Sequence, residues 1–414
     1  MTQTTGKISS YDVVILGAGY AGLMAAMQLG RRKWRLRIAL VSASAKFVER
    51  QRLQEDMVAP VTPRIPSISA FFSGTSVEFI CGSVTSLDAD HKRIQITTDG
   101  QERAITFDQA IYALGSNVDV EDVPGAAEHA FRLDSGEGPR SAAALRSRLH
   151  QGADWPVRVI AVGGGPTAIE AAGEIKTTWP GAEMTMVSQR CGDFAGVRVE
   201  KAVRAELRRL GVILIDGESV SEVRPSEVIT NTGRSIACDI CVWSGGMRSS
   251  PIARVASLAT DPQDRILVDP NLRSISHPHI LAVGDAAHPI APTGAPFRKS
   301  VAAALVSGAY AADSIVAQRS KRDLQPFSFS TFAQAVAIGR FGVIYFLDRD
   351  DRQIGYIAEG RIARQLRNLL VWFVPPFLKL VSRFPGFYTW PGRRRVSWHQ
   401  ASDAIQKLQT AQND

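Results

Sequence analysis

Cysteine and histidine are scarce in this sequence. Its 414 residues include only 4 cysteines and 7 histidines. The cysteines do not show the spacing of a secreted disulfide framework, and the histidines lack cysteine or carboxylate partners at metal-ligand spacing. We therefore expect free cysteines in a reducing, cytoplasmic setting and no metal site.

Long apolar segments are also missing. The first ten residues contain no apolar core of a signal peptide, and the second residue is not the glycine that myristoylation needs. With 45% hydrophobic residues, 21% charged residues and 34 glycines, the composition is typical of a globular α/β protein. The length suits roughly two to three domains, and we expect three parts.

Acidic residues are outnumbered by basic ones. The net charge is +8 and the pI is about 9.5, which suits nucleic acid, a membrane surface or an anionic substrate. The sequence shows no pattern of a nucleic-acid recognition fold, and its basic residues are dispersed. We therefore expect no nucleic-acid partner. Basic residues gather only near the end, where we expect a solvated face; they are Arg361, Arg364, Arg367, Lys379, Arg383, Arg393, Arg394 and Arg395.

A glycine fingerprint stands near the start of the chain. A short apolar run at 11–16 leads into Gly17, Gly19 and Gly22, a helical pattern follows, and a second apolar run occupies 38–41. Such a strand, turn and helix brings backbone N–H groups and a helix N-terminus close to an anionic diphosphate. This segment predicts a dinucleotide-binding βαβ unit.

The same device recurs later in the chain. An apolar run at 157–162 precedes Gly163, Gly165 and Ala168, a helix is predicted through Lys176, and a strand is predicted over 184–187. A single fingerprint is weak, but two copies in the same context are much stronger. The sequence therefore predicts two Rossmann-type domains.

The carboxylate that usually grips the ribose is missing from both copies. Ser42 and Ser188 occupy the corresponding positions. In the second copy, this loss removes repulsion against a 2′-phosphate, and Arg190 could pair with that group. The alternative is an NADH enzyme in which Arg190 is merely exposed, so NADH and NADPH both stay open.

Taken together, these motifs resemble the pyridine nucleotide-disulfide oxidoreductase superfamily. The resemblance covers about residues 10–320 and includes Ala113-Leu-Gly115-Ser and Val-Gly284-Asp285-Ala. It implies an α/β fold with two Rossmann-type, glutathione-reductase-like domains, followed by a C-terminal α+β section. We expect an FAD domain at 10–125 and 260–320, an NAD(P)H domain at 126–259 and the C-terminal section at 321–414.

The resemblance also implies the cofactors and their residues. The first fingerprint is expected to bind FAD and the second to bind NADH or NADPH. Asp285 is expected to bind the ribityl chain of FAD. Arg298, Lys299 and Ser300 are expected at the flavin's pyrimidine edge. The predicted cofactor-binding residues are Gly17, Gly19, Tyr20, Ala21, Gly22, Ser42, Arg50, Val84, Ala113, Gly115, Gly163, Gly165, Pro166, Thr167, Ala168, Ser188, Arg190, Gly245, Gly284, Asp285 and Ser300.

A redox dithiol is absent from its usual place in that superfamily. The stretch 47–56 contains no cysteine, and Cys238 and Cys241 belong to an apolar strand that favours buried, inert thiols. The chain is then similar to type II NADH:quinone dehydrogenases and apoptosis-inducing-factor-like (ferroptosis suppressor-like) quinone reductases, above all over 163–180. That similarity places Glu170 near nicotinamide and flavin as the catalytic residue, the alternative being a solvated helix carboxylate.

The electron acceptor and the partners are less constrained. A quinone is the favoured electron acceptor. However, the quinone dehydrogenases have an Ala-Gln motif, and its glutamine is missing from residues 292–300 here. Alternatives are a small biosynthetic intermediate, an electron-carrier protein, or a redox-responsive binding protein with a long-lived FAD–NAD(P)H complex. The apolar stretch 369–381 is too short to span a bilayer, so it lies in the inner membrane interface, packs on the flavin domain or forms a homodimer face.

Overall fold

The computed structural model describes residues 8–30, 36–60, 64–65, 67–133, 138–151, 156–289, 298–348 and 352–388. Two features singled out in the sequence lie outside these ranges: the basic run at 393–395 and most of the segment 292–300, up to residue 297.

The strands in chain order are β1 (Ser9–Leu16), β2 (Ile38–Ser42), β3 (Val77–Cys81), β4 (Ser83–Asp88), β5 (Arg93–Thr98), β6 (Gln101–Tyr112), β7 (Ser116–Val118), β8 (Ala130–Arg132), β9 (Arg158–Val162), β10 (Glu183–Ser188), β11 (Ile213–Asp216), β12 (Val220–Val223), β13 (Glu227–Thr230), β14 (Ser235–Ala237), β15 (Ile240–Trp243), β16 (Met247–Ser249), β17 (Ile266–Leu267), β18 (Ile280–Ala282), β19 (Ala287–His288), β20 (Ala333–Ile338), β21 (Phe341–Leu347) and β22 (Gln353–Gly360). The helices are α1 (Tyr20–Gly30), α2 (Leu53–Asp56), α3 (Ala126–His129), α4 (Ala142–Gln151), α5 (Pro166–Thr178), α6 (Val197–Arg209), α7 (Ile252–Val255), α8 (Val301–Arg319) and α9 (Arg361–Arg383).

The first fingerprint sits on a seven-stranded sheet. Its order is β3-β2-β1-β6-β5-β4, with β18 added beside β6. The strands β3, β2, β1, β6 and β18 are mutually parallel, and β4 and β5 form an antiparallel meander with β6. The apolar residues Val13 to Leu16 are fully buried because helices cover the sheet. Here the expected Rossmann-type architecture is confirmed.

The second fingerprint sits on a separate parallel sheet. Its order is β11-β10-β9-β15-β8, and the hairpin sheet β12-β13-β14 lies beside it. An antiparallel pair, β7 with β16, joins the ends of the two halves of the protein. β7 follows Gly115 and β16 follows Gly245. The segments that carry these two glycines therefore lie beside each other.

The C-terminal section is a three-stranded antiparallel sheet followed by the long helix α9. A Cβ on Gly173 would lie 2.7 Å from the Ile338 Cα, so β20 packs directly on α5. A Cβ on Gly342 would lie 2.5 Å from the Arg364 backbone nitrogen, so α9 begins against β21. The predicted α+β character is confirmed, while the exact domain boundaries remain predictions.

The helix α8 is a core helix. Among the described residues, it alone has the length and apolar composition to cross a membrane, and 78% of that apolar window is buried inside the protein. A Cβ on Gly308 would overlap the carbonyl oxygen of Ala21, so α8 and α1 touch backbone to backbone. At its start, the Ser300 Oγ accepts a hydrogen bond from the Ala303 N–H at 3.1 Å and caps the helix.

The expectation of a solvated basic face at the end of the chain is wrong for two residues. Arg364 and Arg367 are only 9% and 5% exposed. Carboxylates from α2 and α5 surround them, which is why two guanidinium groups can be buried there. Arg361, Lys379 and Arg383 are exposed as expected.

Candidate dinucleotide sites

The turn of the first fingerprint leaves no space for side chains at two of its glycines. Gly17 has a φ of +97°, and a Cβ there would overlap the Ala113 carbonyl oxygen. A Cβ on Gly22 would overlap the Gly17 carbonyl oxygen and lie 3.2 Å from the Ala113 Cβ. These glycines and Ala113 therefore hold the strand β6 against the turn.

Gly19 differs because the space above it is open. No protein atom lies within 4 Å of where its Cβ would stand, and α1 begins at the next residue. An open backbone at the N-terminus of a helix is the cradle that a diphosphate requires. Gly115, with a φ of +69° and similarly open space, adjoins this region. The first fingerprint thus fits FAD.

Two predicted residues, Arg50 and Asp285, converge on Ser116 beside this turn. The Ser116 hydroxyl donates to the Asp285 Oδ2 at 3.0 Å. The Arg50 Nη1 donates to the Ser116 carbonyl oxygen, and its Nη2 donates to the Asn117 Oδ1 at 2.9 Å. Asp285 is therefore held by a hydroxyl and lies near a fixed cation.

Four further predicted residues of the first site make different contacts. Ser42 ends β2, and its carbonyl oxygen accepts from the Gly82 N–H at 2.8 Å, while Val84 packs partly buried against the core. Ala21 lies under Gly284, whose Cβ would be 3.2 Å from the Ala21 Cβ. The Tyr20 hydroxyl is buried without a hydrogen-bond partner, and burial raises the pKa of Tyr20.

A narrow cleft opens beside Asp285. The Lys299 Nζ donates to the Met247 carbonyl oxygen at 3.2 Å, and burial lowers the pKa of Lys299. The Arg298 Nη1 donates to the Phe194 carbonyl oxygen at 2.8 Å. Cations therefore line a cleft where the flavin's pyrimidine edge is expected; the lining residues are Arg265, Gly284, Asp285, Ala287, Pro289, Arg298, Lys299, Ala303, Ser307 and Phe327.

The second fingerprint repeats this division between packed and open positions. Gly163 has a φ of +120°, and its Cβ would lie 2.7 Å from the Ser244 carbonyl oxygen. Gly165 has open space above it, and the next two residues, Pro166 and Thr167, begin α5 exposed. Ala168, in place of the third glycine, is fully buried. A second diphosphate cradle results.

Two buried hydroxyls beside this turn lack hydrogen-bond partners. They belong to Ser188 at the end of β10 and to Ser244 after β15. The Ser188 Oγ lies 3.1 Å from where a Cβ of Gly164 would stand. Buried hydroxyls are normally satisfied, so these two match a polar ligand such as the ribose and diphosphate of NADH or NADPH. Gly245 follows, and its Cβ would meet the Trp243 ring at 2.8 Å.

Arg190 is not free for a 2′-phosphate. Its Nε and Nη2 donate to the two carboxylate oxygens of Glu200 at 3.0 and 2.8 Å, and Asp193 lies 3.7 Å away. The Glu200 carboxylate, followed by Asp193, raises the pKa of Arg190. The guanidinium remains 56% exposed, so the pair faces solvent at the edge of the site.

Glu170 is buried, which contradicts the alternative of a solvated helix carboxylate. Only 8% of the residue is exposed. Its Oε1 accepts from the Ala337 N–H at 2.9 Å and from the Arg367 Nη2 at 3.2 Å. Burial raises the pKa of Glu170, although Arg367 opposes this shift. The side chain is thus held at the meeting point of α5, β20 and α9.

The four cysteines are free, and three of them are buried. Burial raises the pKa of Cys238 to about 11 and also raises that of Cys241. Thiols with such pKa values are not poised for exchange. Across the described parts of the chain, no group of three or more His, Cys, Asp or Glu residues could hold a metal ion.

Sequence reasoning missed several residues of the two sites. Ser116, Asn117 and Ser244 contact or border the predicted residues but were not selected. Their position directly after the Gly115 and β15 motifs is the signal that could have found them. Arg367 carried no local signal, since its partner Glu170 is 197 positions away.

Comparisons with known proteins agree with this geometry. The chain is 28% identical to an NADH dehydrogenase-like protein of Mycobacterium tuberculosis over 66% of this chain and 72% of that protein. It is 23% identical to the demethylphylloquinone reductase NdbB of Synechocystis, over 80% and 85%. The solved structure of NDH2 from Plasmodium falciparum in complex with NADH shares the fold, with a TM-score of 0.76, 13% identity and coverage of 94% and 100%.

The family model described as pyridine nucleotide-disulphide oxidoreductase matches residues 11–310. That match covers both fingerprints and the Gly284-Asp285 segment. Together with the two cradles, it shows that the chain belongs to the pyridine nucleotide-disulphide oxidoreductase family, as an oxidoreductase enzyme that uses FAD together with NADH or NADPH.

Proposed function

We propose that this enzyme is an NAD(P)H:quinone oxidoreductase in which electrons pass from FAD to the quinone without a redox disulfide. FAD, when bound, accepts two electrons from the nicotinamide and releases them to the acceptor. The observation that carries the quinone assignment is the outer face of α9, which exposes a row of large apolar side chains next to the cofactor region. A lipid-soluble acceptor needs such a surface.

Direct transfer is supported by the state of the thiols. The segment that follows β2 contains no cysteine, and Cys241 is buried in the parallel strand β15. The expectation that Cys238 belongs to the same strand is wrong, because it is buried in the loop between β14 and β15. Cys81 is the exposed cysteine that lies closest in sequence to the first fingerprint. Its strand, β3, contains no second cysteine. This arrangement of the four cysteines supports direct transfer from the flavin.

The helix α9 turns its apolar side outward. Its cations Arg364 and Arg367 point inward, whereas the exposed apolar side chains are Ile362 (84%), Leu366 (47%), Leu369 (58%), Leu370 (58%), Trp372 (56%), Phe373 (55%) and Leu380 (37%). The same helix contains no carboxylate. This arrangement suits insertion into the interface of an anionic membrane. We therefore assign a peripheral position on the cytoplasmic side of the membrane.

The inner side of α9 contacts the segment that also reaches the flavin region. The Arg367 Nη2 donates to the Gln51 carbonyl oxygen at 3.1 Å, next to Arg50. The Arg64 Nη1 donates to the Trp372 carbonyl oxygen at 3.0 Å. Arg50 itself reaches Ser116, the partner of Asp285. A quinone entering along α9 would thus meet the residues that surround the cofactor.

We assign Glu170 the role of holding a proton near the reacting groups. Its carboxylate is buried, its pKa is raised by burial, and a single guanidinium and one N–H contact it. Such a carboxylate can hold a proton that an ordinary solvated carboxylate would release. The neighbouring Glu174 is bound instead to Arg364 at 3.0 Å.

The test is anaerobic and uses the purified FAD-loaded enzyme. The flavin is reduced with NADH or NADPH and then mixed rapidly with a soluble short-chain quinone. We expect the oxidised spectrum to return about tenfold faster, or more, than in aerated buffer without quinone. Recovery that is equally slow with quinone and oxygen would overturn the quinone assignment and favour a redox-responsive binding protein or another acceptor.

Membrane contact is tested by changing the outer face of α9. The double variant Leu369→Glu/Phe373→Glu places two charges on that face without touching the inward cations. Because full burial of such side chains contributes roughly 1.5–3 kcal/mol each, we expect binding to vesicles that contain phosphatidylglycerol to fall by about tenfold or more. Sedimentation with the vesicles measures this partition.

The matched control is Val197→Glu/Val255→Glu. These two valines are 74% and 75% exposed but lie on α6 and α7, away from α9. This variant should bind vesicles like the parent enzyme. If the α9 variant also binds like the parent, α9 is not the membrane contact; a loss of dimers with unchanged vesicle binding would identify a second copy as its partner.

A further inference from the structure

The edge of the second cradle carries a compact cluster of ion pairs. Ser188 ends β10, and the turn that follows brings Arg190 back over the fingerprint, because a Cβ on Gly164 would overlap the Arg190 carbonyl oxygen. The Gly192 N–H donates to the Gly164 carbonyl oxygen at 3.0 Å. This turn is therefore bonded to the diphosphate cradle itself.

In Rossmann-type domains, the residue that ends the second strand faces the adenosine ribose. Here that residue is Ser188, whose buried hydroxyl lacks a hydrogen-bond partner. Arg190 is the cation two positions further on. A 2′-phosphate, if present on the ribose, would approach this guanidinium.

Glu200 of α6 already occupies that guanidinium. It makes two parallel hydrogen bonds with Arg190, at 3.0 and 2.8 Å, in the fork geometry that a phosphate would also use. The Glu200 side chain is only 12% exposed, and a Cβ on Gly192 would lie 3.3 Å from the Glu200 Cα. The carboxylate is thus held in place by the turn that it binds.

No other cation of the cluster is available to replace Arg190. Arg204 lies 4.0 Å from Glu200, but its two terminal nitrogens donate to both carboxylate oxygens of Asp216 at 3.0 and 2.6 Å. Asp193 adds a further carboxylate 3.7 Å from Arg190. A phosphate would have to displace Glu200 and then remain beside two carboxylates.

We propose that Glu200 is a specificity-determining residue, which favours NADH over NADPH by holding Arg190 in a bidentate ion pair. This inference rests on the proposed function insofar as the second fingerprint must bind the reducing nucleotide. Ser188 then accepts or donates a single bond to an unmodified ribose. Other Rossmann-type domains place a carboxylate at the end of the second strand. Here Glu200 of α6 supplies the carboxylate, and it contacts Arg190 rather than the ribose.

The test measures the binding of NAD⁺ and NADP⁺ to the FAD-loaded full-length enzyme by titration calorimetry. The parent enzyme should bind NAD⁺ about tenfold more tightly than NADP⁺, or more. In Glu200→Gln, we expect NADP⁺ to bind about tenfold more tightly than in the parent, with NAD⁺ changed by less than about twofold. Glu200→Ala provides a second variant, in case Gln still holds the guanidinium.

A double-variant cycle with Arg190→Ala separates this effect from a general change in charge. In the parent background, Arg190→Ala should leave NADP⁺ binding nearly unchanged, because Glu200 occupies the arginine. In the Glu200→Gln background, the same substitution should remove the gain. The control is Glu222→Gln on β12, whose carboxylate pairs with Arg224; it should change the binding of neither nucleotide.

Two results would overturn the inference while leaving the proposed function intact: a ratio of NAD⁺ to NADP⁺ binding that neither Glu200 variant alters, or a strong loss of NADP⁺ binding in Arg190→Ala alone. If neither nucleotide binds to the parent enzyme, both the assignment of the second fingerprint and this inference fail.

Discussion

Gly19→Val and Gly165→Val should separate the two cofactors from each other. Both glycines have open space where a Cβ would stand, and neither has a positive φ. A valine at either position is therefore accepted by the protein but fills the volume expected for a diphosphate. We expect purified Gly19→Val to contain about one tenth, or less, of the FAD per polypeptide that the parent contains.

Gly165→Val should instead be purified with its full complement of FAD. Its flavin should, however, be reduced by NADH at least about tenfold more slowly, since the second diphosphate cradle is filled. Absorbance of the flavin per polypeptide and stopped-flow reduction measure the two effects. The two variants serve as controls for each other, because each removes one cofactor and spares the other.

The structural control is Gly22→Ala. Its Cβ would overlap the Gly17 carbonyl oxygen, so this small substitution disturbs the turn itself and should lower the thermal midpoint of the apoprotein. Gly19→Val should leave that midpoint within a few degrees of the parent. If Gly19→Val retains FAD, or if Gly165→Val loses it, the assignment of the two fingerprints is wrong.

The fold and the two cradles could be predicted because their signals are local. Each fingerprint spans a strand, a turn and the start of a helix, and the apolar periods and glycines of these elements are readable over about 30 residues. β1, β2, β9 and β10 lie within one or two residues of the predicted bounds, and α5 ends two residues beyond the predicted Lys176. Spacing alone also selected Ser42 and Ser188, which end the second strand of each unit.

What could not be predicted depends on side chains that are distant in sequence. Nothing near Arg190 indicates that its guanidinium is bound to Glu200 on the next helix. Nothing near Arg367 indicates burial, because an arginine in an apolar stretch usually reaches solvent. Only the folded chain brings Glu55, Glu170 and Glu174 to the inner face of α9.

Arg367→Ala should strongly destabilise the enzyme. Arg367 is 5% exposed and donates to Glu170, Glu55 and the Gln51 carbonyl oxygen. Its removal leaves the buried Glu170 carboxylate with the Ala337 N–H as its remaining described hydrogen bond. Breaking a buried ion pair from one side costs about 3–5 kcal/mol of the free energy of unfolding. Denaturant unfolding measures the loss.

The matched control is Arg224→Ala. Arg224 also donates two hydrogen bonds to a glutamate, both at 2.9 Å to Glu222, but the two side chains are 47% and 39% exposed. Solvent and salt screen such a pair, so Arg224→Ala should lose much less of the free energy of unfolding than Arg367→Ala. A similar loss in both variants would show that the buried position of Arg367 has no special energetic weight.

The dependence on pH then identifies Glu170 as the cause. Burial raises the pKa of Glu170 in the folded enzyme, whereas the unfolded chain ionises it near its usual value of about 4.3. The folded state therefore binds more protons than the unfolded state above this pH, and stability falls as the pH rises toward the folded pKa. Without Arg367 the folded pKa of Glu170 rises further, so the deficit of Arg367→Ala should grow with pH above the folded pKa of the parent, where the parent has stopped losing stability and the variant has not. In Glu170→Gln/Arg367→Ala, this growth should vanish and part of the stability should return, because no buried charge remains at position 170; a deficit that stays independent of pH in Arg367→Ala would instead mean that lost packing of α9, and not the carboxylate, is responsible.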